Sequence, residues 1–381
     1  MCDNSVECFP LEAMSKRVIL FLSVLTVVAG CIPLKAVFYA KPDGKDIHRF
    51  AYSEIQASDT CFEFKEDASK IGARIKVNEW GSGTPYFVSL DALCNAHTVR
   101  SFLVIRNDTL LYSFYGKDIA PETLHASFSV AKSFTSALIG IAIDEGLISG
   151  VREKVVQYIP ELAQVAGAED LRIEHLLNMT SGIHYSLQTD AVLYYGNNTL
   201  KALKHVEFGS KPGTKQEYLN INIQLLGLVL HRVTGKLPAE YLTDKLWKPL
   251  GMCSDALWTK DRKGENLSFC CMGATALDYA KFGRLYLNKG DWNGKQIVSK
   301  EWCEKSVERD TTEGSSFGYN YCWHIGEKEY GDYMADGLYK QHIYVQPSKK
   351  IIMVLMADRE NQLKAERVMW RNVFHQVVDQ L

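Results

Sequence analysis

The stretch "SFSVAKSFTSALIGIAIDEGLI" (Ser127–Ile148) decides how the rest of the chain is read. Val130, Phe134, Ala137, Leu138, Ile141 and Ala142 recur at helical spacing, and Gly146 ends the pattern. The spacing predicts a helix built for burial. Near its start stand Ser129 and Lys132, and residues three apart share a helix face. A hydroxyl and an amine therefore project side by side. Free backbone N–H groups and partial positive charge at that end disfavour a protonated amine and favour a developing oxyanion. A lysine in such a dry, positive place can lose its proton near neutral pH and act as base to the serine. The serine N–H can donate to the oxyanion of an acyl intermediate. A lone S-x-x-K also fits an N-cap serine beside a solvated lysine, and the apolar helix that follows favours the buried reading.

Acyl transfer of this kind needs a group that carries the proton to the leaving group. Three Y-x-N triplets offer a phenol: Tyr195-Gly196-Asn197, Tyr218-Leu219-Asn220 and Tyr286-Leu287-Asn288. Tyr286 falls mid-helix, where a packing role is expected. Tyr195 lies in a Tyr/Asn loop with no helix after it. Tyr218 follows Pro212-Gly213 and precedes a helical run, a loop position suited to catalysis.

Working outward, Ser101–Gly116 is two apolar runs around Asn107-Asp108, a hairpin signal. Gln341–Asp358 is two strand-like runs around Pro347-Ser348. Helical patterns occupy Arg172–Ile183, Asn222–Gly235 and Thr275–Gly290, and Leu363–Leu381 closes as an amphipathic helix. Strands lie early and late, with helices between. The expected class is α+β, an α/β sandwich: an antiparallel sheet flanked by helices, built from residues 41–150 and 265–381. Residues 151–264 would form a mainly helical inserted domain, with a site in the cleft between the two units.

The 381 residues carry a formal net charge of −2, without a basic run, so nucleic acid is not an expected partner. Among the cysteines, Cys270 and Cys271 are adjacent, and Cys61, Cys94, Cys253, Cys303 and Cys322 are scattered without zinc spacing. Mostly free thiols are expected, with no metal and no cofactor required. Residues 1–40 read as a leader. "MSKRVILFLSVLTVVAGC" (Met14–Cys31) has a Lys16-Arg17 n-region, an apolar stretch from Val18 to Val28, and an Ala-Gly-Cys ending. That ending resembles a bacterial lipobox, with Cys31 lipidated and Met14 as the start; an uncleaved anchor is the alternative. Either reading implies an exported protein tethered to the membrane through its N-terminus.

Five ordered segments carry a family resemblance: "SFSVAKSFTSALIGIAIDEGLI"; "IEHLLNMTSGI" (Ile173–Ile183); "PGTKQEYLNINIQLLG" (Pro212–Gly227); "KLWKPLGM" (Lys245–Met252); and "TALDYAKFGRLYLNKG" (Thr275–Gly290). Over roughly Arg100–Asp358 the chain resembles the serine β-lactamase-like, penicillin-recognising hydrolases, in particular the class C and 6-aminohexanoate-oligomer hydrolase branch. The resemblance implies a β-lactamase/transpeptidase-like fold. It implies that Ser129 attacks an acyl carbonyl, that Lys132 and Tyr218 share the proton traffic, and that water releases the acyl-enzyme. Asn220 would bond substrate or Lys132, with Leu219 standing where serine is usual. The usual K-T-G is absent. "YMADGLYKQHIYVQP" (Tyr333–Pro347) is nearer the G-x-x-G-Q of the oligomer hydrolases, with Gly337 and Gln341 matching and Lys340 replacing the second glycine. A backbone N–H near Leu338 would be the second oxyanion donor, with Gln341 at the substrate; Tyr185, which follows Thr180-Ser181-Gly182, either lines the substrate cleft or packs in its loop.

The implied activity is hydrolysis of a small or peptide-like amide or ester, with poor turnover of β-lactams. The alternative is a penicillin-binding sensor or DD-peptidase-like protein that acylates with little turnover. His125 and His342 read as structural histidines, Trp323 as pocket wall or packing, and Asp278 with Lys281 and Arg284 as a helix cap and surface charges.

Overall fold

The two apolar runs around Asn107-Asp108 form a hairpin whose central residues both take left-handed φ, 49° and 59°, the backbone that matches strand twist. In this computed structural model, residues 41–67, 74–77, 85–184, 186–358 and 369–381 are described. Eight strands form the main sheet: β1 (Lys65–Glu66), β2 (Val99–Arg106), β3 (Thr109–Tyr115), β4 (Tyr319–Asn320), β5 (Trp323–Ile325), β6 (Tyr333–Gly337), β7 (Gln341–Gln346) and β8 (Ile351–Ala357). Their order is β4-β5-β6-β7-β8-β2-β3-β1. The sheet is antiparallel except at its edge, where β1 runs parallel to β3. Early and late segments meet at its centre, with Val104 opposite Met353.

Every residue of β8 is buried because helices cover both faces of the sheet. The helices used here are α1 (Ala131–Asp144), α2 (Leu187–Tyr195), α3 (Asn220–Thr234), α4 (Ala276–Leu287) and α5 (Trp370–Gln380). Leu103, Ile105, Ile343, Val345, Ile352 and Val354 share the main core with residues of α1, α3 and α4. Phe102, Val104, Tyr344, Met353 and Leu355 pack with Trp370, Phe374 and Val377 of α5 on the other face. Gly283 lets α4 approach the sheet: a Cβ there would lie 2.9 Å from methyls of both Ile343 and Ile352.

Between α1 and α4 the chain is mainly short helices and turns, with α3 its longest element. Ile221–Leu230 is buried throughout, and α3 ends at Gly235, left-handed at φ 67°. A second, four-stranded sheet orders Tyr52–Ile55, Ala256–Thr259, Met272–Ala274 and His125–Ala126. Its last strand delivers the chain to the turn before α1.

Two expectations need correction. Four of the described cysteines are bridged, as Cys61–Cys253 and Cys270–Cys271, while Cys94, Cys303 and Cys322 are free and buried. Cys61 and Cys253 are 192 residues apart in sequence. They meet because Ser58 N–H and Phe62 N–H donate to the Met252 and Gly251 carbonyls. Asp278 does belong to the helix cap, exchanging hydrogen bonds with Thr275 at 2.9 and 3.1 Å, but Asp278, Lys281 and Arg284 are buried rather than surface charges, because α4 is covered on all sides. Asp278 accepts from Lys281 Nζ at 2.8 Å and from Cys253 N–H at 2.9 Å. Arg284 makes two 2.7 Å bonds to Asp108 and lies over the Phe62 and Trp292 rings. Of the two readings of Trp323, packing is the one found: it is fully buried against Phe282, Tyr286 and Tyr333. The leader, Cys31 included, lies outside the described residues. Among those described, no helix is long and apolar enough to cross a membrane.

Candidate active site

Ser129 stands on a 3-10 turn, Phe128–Val130, directly before α1. Phe128 takes φ 43°, a costly conformation for a non-glycine residue. The turn is tied down from outside: Ser127 N–H donates to the Met272 carbonyl at 2.7 Å, and Met272 N–H donates to Ser127 Oγ at 3.0 Å. The nucleophile candidate is half-exposed, whereas Lys132, one turn on, is 1% exposed.

Lys132 Nζ is 2.8 Å from each of three oxygens: Ser129 Oγ, Asn220 Oδ1 and the Phe269 carbonyl. None is a carboxylate. Burial pushes its pKa down to about 7, and the more distant Cys322 and Asp190 oppose that only in part. A neutral amine has two N–H donors and one lone pair. Two carbonyl oxygens and one hydroxyl match that inventory. The Asn220 amide is oriented by its other end, where Nδ2 donates to Asp190 Oδ1 at 2.7 Å. A carboxylate only accepts, so the amide oxygen is turned toward Lys132.

Tyr218 arrives on the loop before α3. Gly213 N–H donates to the Thr180 carbonyl, and Glu217 N–H to the Met179 carbonyl, each at 2.7 Å. The Pro-Gly loop and the Thr180-Ser181-Gly182 turn thus hold each other. Gly182 has φ 72°, and a Cβ there would sit 2.2 Å from the Ser210 carbonyl oxygen. Tyr218 is 45% exposed and lies beside Ser129. Desolvation raises the phenol well above its ordinary value, and its bond to Ser129 offsets part of the rise. Lys132 Nζ lies 5.0 Å from the ring centroid. Tyr319 packs edge-on to Tyr218 at 5.8 Å, with His324 beside both.

The β6–β7 turn closes the far side. A Cβ on Gly337 would lie 2.5 Å from the Ser127 carbonyl oxygen and 3.3 Å from Ser129 N, so glycine lets this strand press on the nucleophile turn. Tyr339 and Lys340 both take left-handed φ, 63° and 65°, and Leu338 is exposed at the tip.

Gln341 does not face the cleft. It is 1% exposed, and its Nε2 donates to the Leu338, Tyr339 and Ala357 carbonyls, so its amide shapes the turn. Tyr185 lies outside the described residues. His125 is buried, with Nε2 2.9 Å from Ser101 Oγ, and burial pushes it down to about 3, so it is neutral. His342 Nδ1 is 3.0 Å from Asp336.

Ser129, Lys132, Tyr218 and Asn220 therefore converge, with Leu338 at the rim. Asp190, the Phe269 carbonyl, Tyr319, His324 and Cys322 were not found by sequence reasoning. A backbone carbonyl carries no residue signature, and Asp190 lies in α2, outside every motif.

The family model described as Beta-lactamase matches residues 99–378. The chain is 28% identical over 284 residues to 6-aminohexanoate-dimer hydrolase of Paenarthrobacter ureafaciens, spanning 68% of this chain and 72% of that protein. It is 31% identical over 166 residues to Protein flp of Staphylococcus aureus (strain MW2), spanning 40% of this chain but only 33% of that protein. A Bacillus anthracis structure assigned as a 6-aminohexanoate-dimer hydrolase superposes with a TM-score of 0.75 at 24% identity, over 87% of this chain and 90% of that one. With its mixed sheet flanked by helices, the chain belongs to the beta-lactamase family of serine hydrolases.

Proposed function

We propose that this hydrolase cleaves short amides or esters through an acyl-enzyme on Ser129. The observation that carries the reading is the buried Lys132 amine, bonded to Ser129 Oγ with no carboxylate among its three partners. In its neutral form it takes the Ser129 proton as the hydroxyl oxygen attacks the acyl carbonyl. The Ser129 and Leu338 N–H groups receive the oxyanion. The Tyr218 phenol, kept protonated by burial, passes a proton to the leaving group and is refilled from Lys132. Water then attacks the acyl-enzyme by the reverse path.

A short linear amide is favoured by likeness to the aminohexanoate-dimer hydrolase, and the open rim at Leu338 admits esters too. The two disulfides favour an oxidising compartment, in keeping with the export expected from the leader.

The test is intact-mass labelling with a fluorophosphonate. One adduct is expected on the wild type and none on Ser129→Ala; an adduct on the variant moves the nucleophile elsewhere. Short p-nitrophenyl esters and linear amides should turn over faster than nitrocefin. An acyl label that persists for hours would replace the hydrolase reading with that of a sensor.

A further inference from the structure

We propose that the Cys270–Cys271 bridge is a positioning element of the site, holding the backbone anchors of both the base and the nucleophile turn. This rests on the acyl-enzyme reading of Ser129. The bridged pair lies between two residues that touch the site from outside α1. Immediately before it, the Phe269 carbonyl accepts from Lys132 Nζ at 2.8 Å. Immediately after it, Met272 exchanges two hydrogen bonds with Ser127, two residues ahead of the nucleophile. Four consecutive residues thus set the distance between the base's acceptor and the nucleophile's turn.

A disulfide between neighbours closes a small ring that contains their shared peptide bond. It therefore restrains Cys270 ψ and Cys271 φ, the torsions that set how the Phe269 end and the Met272 end of the segment lie relative to each other. Cys271 is held at φ 71°, in the left-handed region that a non-glycine residue avoids. The rest of the segment is pinned as well. Trp258 Nε1 donates to the Cys270 carbonyl at 2.9 Å, Thr259 N–H donates to the Cys271 carbonyl at 3.1 Å, and both cysteines are buried.

Reduction by a dithiol delivers two electrons and two protons: Cys270 and Cys271 become thiols while the reductant closes its own disulfide. With the ring open, Cys271 relaxes toward negative φ and the Phe269 carbonyl swings away from Lys132. Water reaches the amine, the desolvation that kept it neutral is relieved, and the base is protonated over more of the neutral range.

The experiment follows kcat/KM for p-nitrophenyl butyrate against pH, before and after dithiothreitol treatment. Intact mass after alkylation reports which thiols are open. A Cys61→Ser/Cys253→Ser variant removes the other bridge from the comparison. In that variant, reduction should move the acid limb up by about one pH unit and lower the rate at pH 7 about fivefold. Cys270→Ser/Cys271→Ser should show the shifted limb without reductant and no response to it. Should that variant fail to fold, as judged by its thermal melt, the reduction series decides alone.

An unmoved limb after both thiols are alkylated overturns the proposal. So does a uniform loss of rate at every pH, which is the mark of a merely structural bridge. So does native protein in which both cysteines alkylate without reductant. Failure of Ser129 to take the fluorophosphonate in the oxidised wild type refutes the acyl-enzyme reading instead. Normal labelling with an unmoved limb refutes the bridge alone.

Discussion

Asn220 Oδ1 lies 2.8 Å from Lys132 Nζ, so a neutral amide from the helical region caps a buried amine from the helix that follows Ser129. The bond joins α1 to α3 and makes the state of the base depend on groups from both. A carboxylate in that position would hold the lysine charged. An amide oxygen accepts a proton donor without doing so.

The rate should therefore rise with pH through the Lys132 titration. Burial depresses its pKa to about 7, so the active neutral amine accumulates above that value and is lost below it. A kcat/KM profile on an activated ester should climb between roughly pH 6 and 8 and then level off. Lys132→Arg, charged throughout this range, should lose on the order of 10³-fold or more while keeping its melt. An acid limb above pH 9, or an active arginine variant, would remove Lys132 from the base role.

Asp190→Ala removes the acceptor that aims the Asn220 amide. The amide is then free to turn its NH₂ toward Lys132, where it accepts nothing. A roughly tenfold fall in kcat/KM is expected, worth about 1.4 kcal/mol. Asp190 also raises the Lys132 pKa, so the acid limb should move to lower pH in the variant. A fall in melting temperature with an unmoved limb would mean that Asp190 only holds α2 in place.

Gly337→Ala introduces a Cβ 2.5 Å from the Ser127 carbonyl oxygen. Of its three nearest neighbours, the Ser127 carbonyl oxygen and Ser129 N are backbone and the third is the Gln341 Cβ, so β6 must withdraw from the Ser129 turn and take the Leu338 N–H with it. Loss of one oxyanion donor costs about 10²–10³ in kcat. Single-turnover acylation should show that loss with the far-UV spectrum unchanged. Full activity would place the second donor elsewhere.

Asp108→Asn leaves the Arg284 guanidinium buried without its carboxylate. Asparagine tolerates the left-handed turn at this position. Because Asp108 itself is partly exposed, a loss of about 1–2 kcal/mol is expected, less than for a fully buried pair. Urea denaturation should report it, with kcat/KM for the ester unchanged.

Local signals made much of this fold legible. The Asn107-Asp108 turn, the spacing along α1 and the Ser129–Lys132 interval all act within a few residues, and each is found as read. Tyr218 was separable from Tyr286 by its loop and from Tyr195 by the Pro-Gly before it and the helix after it; Tyr195, expected in a loop, instead closes α2, and both it and Tyr286 are buried. What could not be read depends on distant partners. The charges of α4 suggest a surface only if one face is free, and none is. The Cys61–Cys253 pair needs the loop around Phe62 docked on Gly251. Gln341 has the residue type of a ligand-binding amide, but three carbonyls occupy it. Asp190 acquires meaning only when α2 is set beside the start of α3.

The pairing of Val104 with Met353 puts the last strand among the described residues at the middle of the sheet. A nascent chain that has already made β2 and β3 leaves the β2 edge open until β8 has been translated, during which it can recruit other strands. Closure of the sheet should accordingly wait for β8 and be slow, as non-local pairing requires. A frameshift or stop codon shortly before residue 351 would remove the keystone of the sheet while leaving every proposed active-site residue encoded.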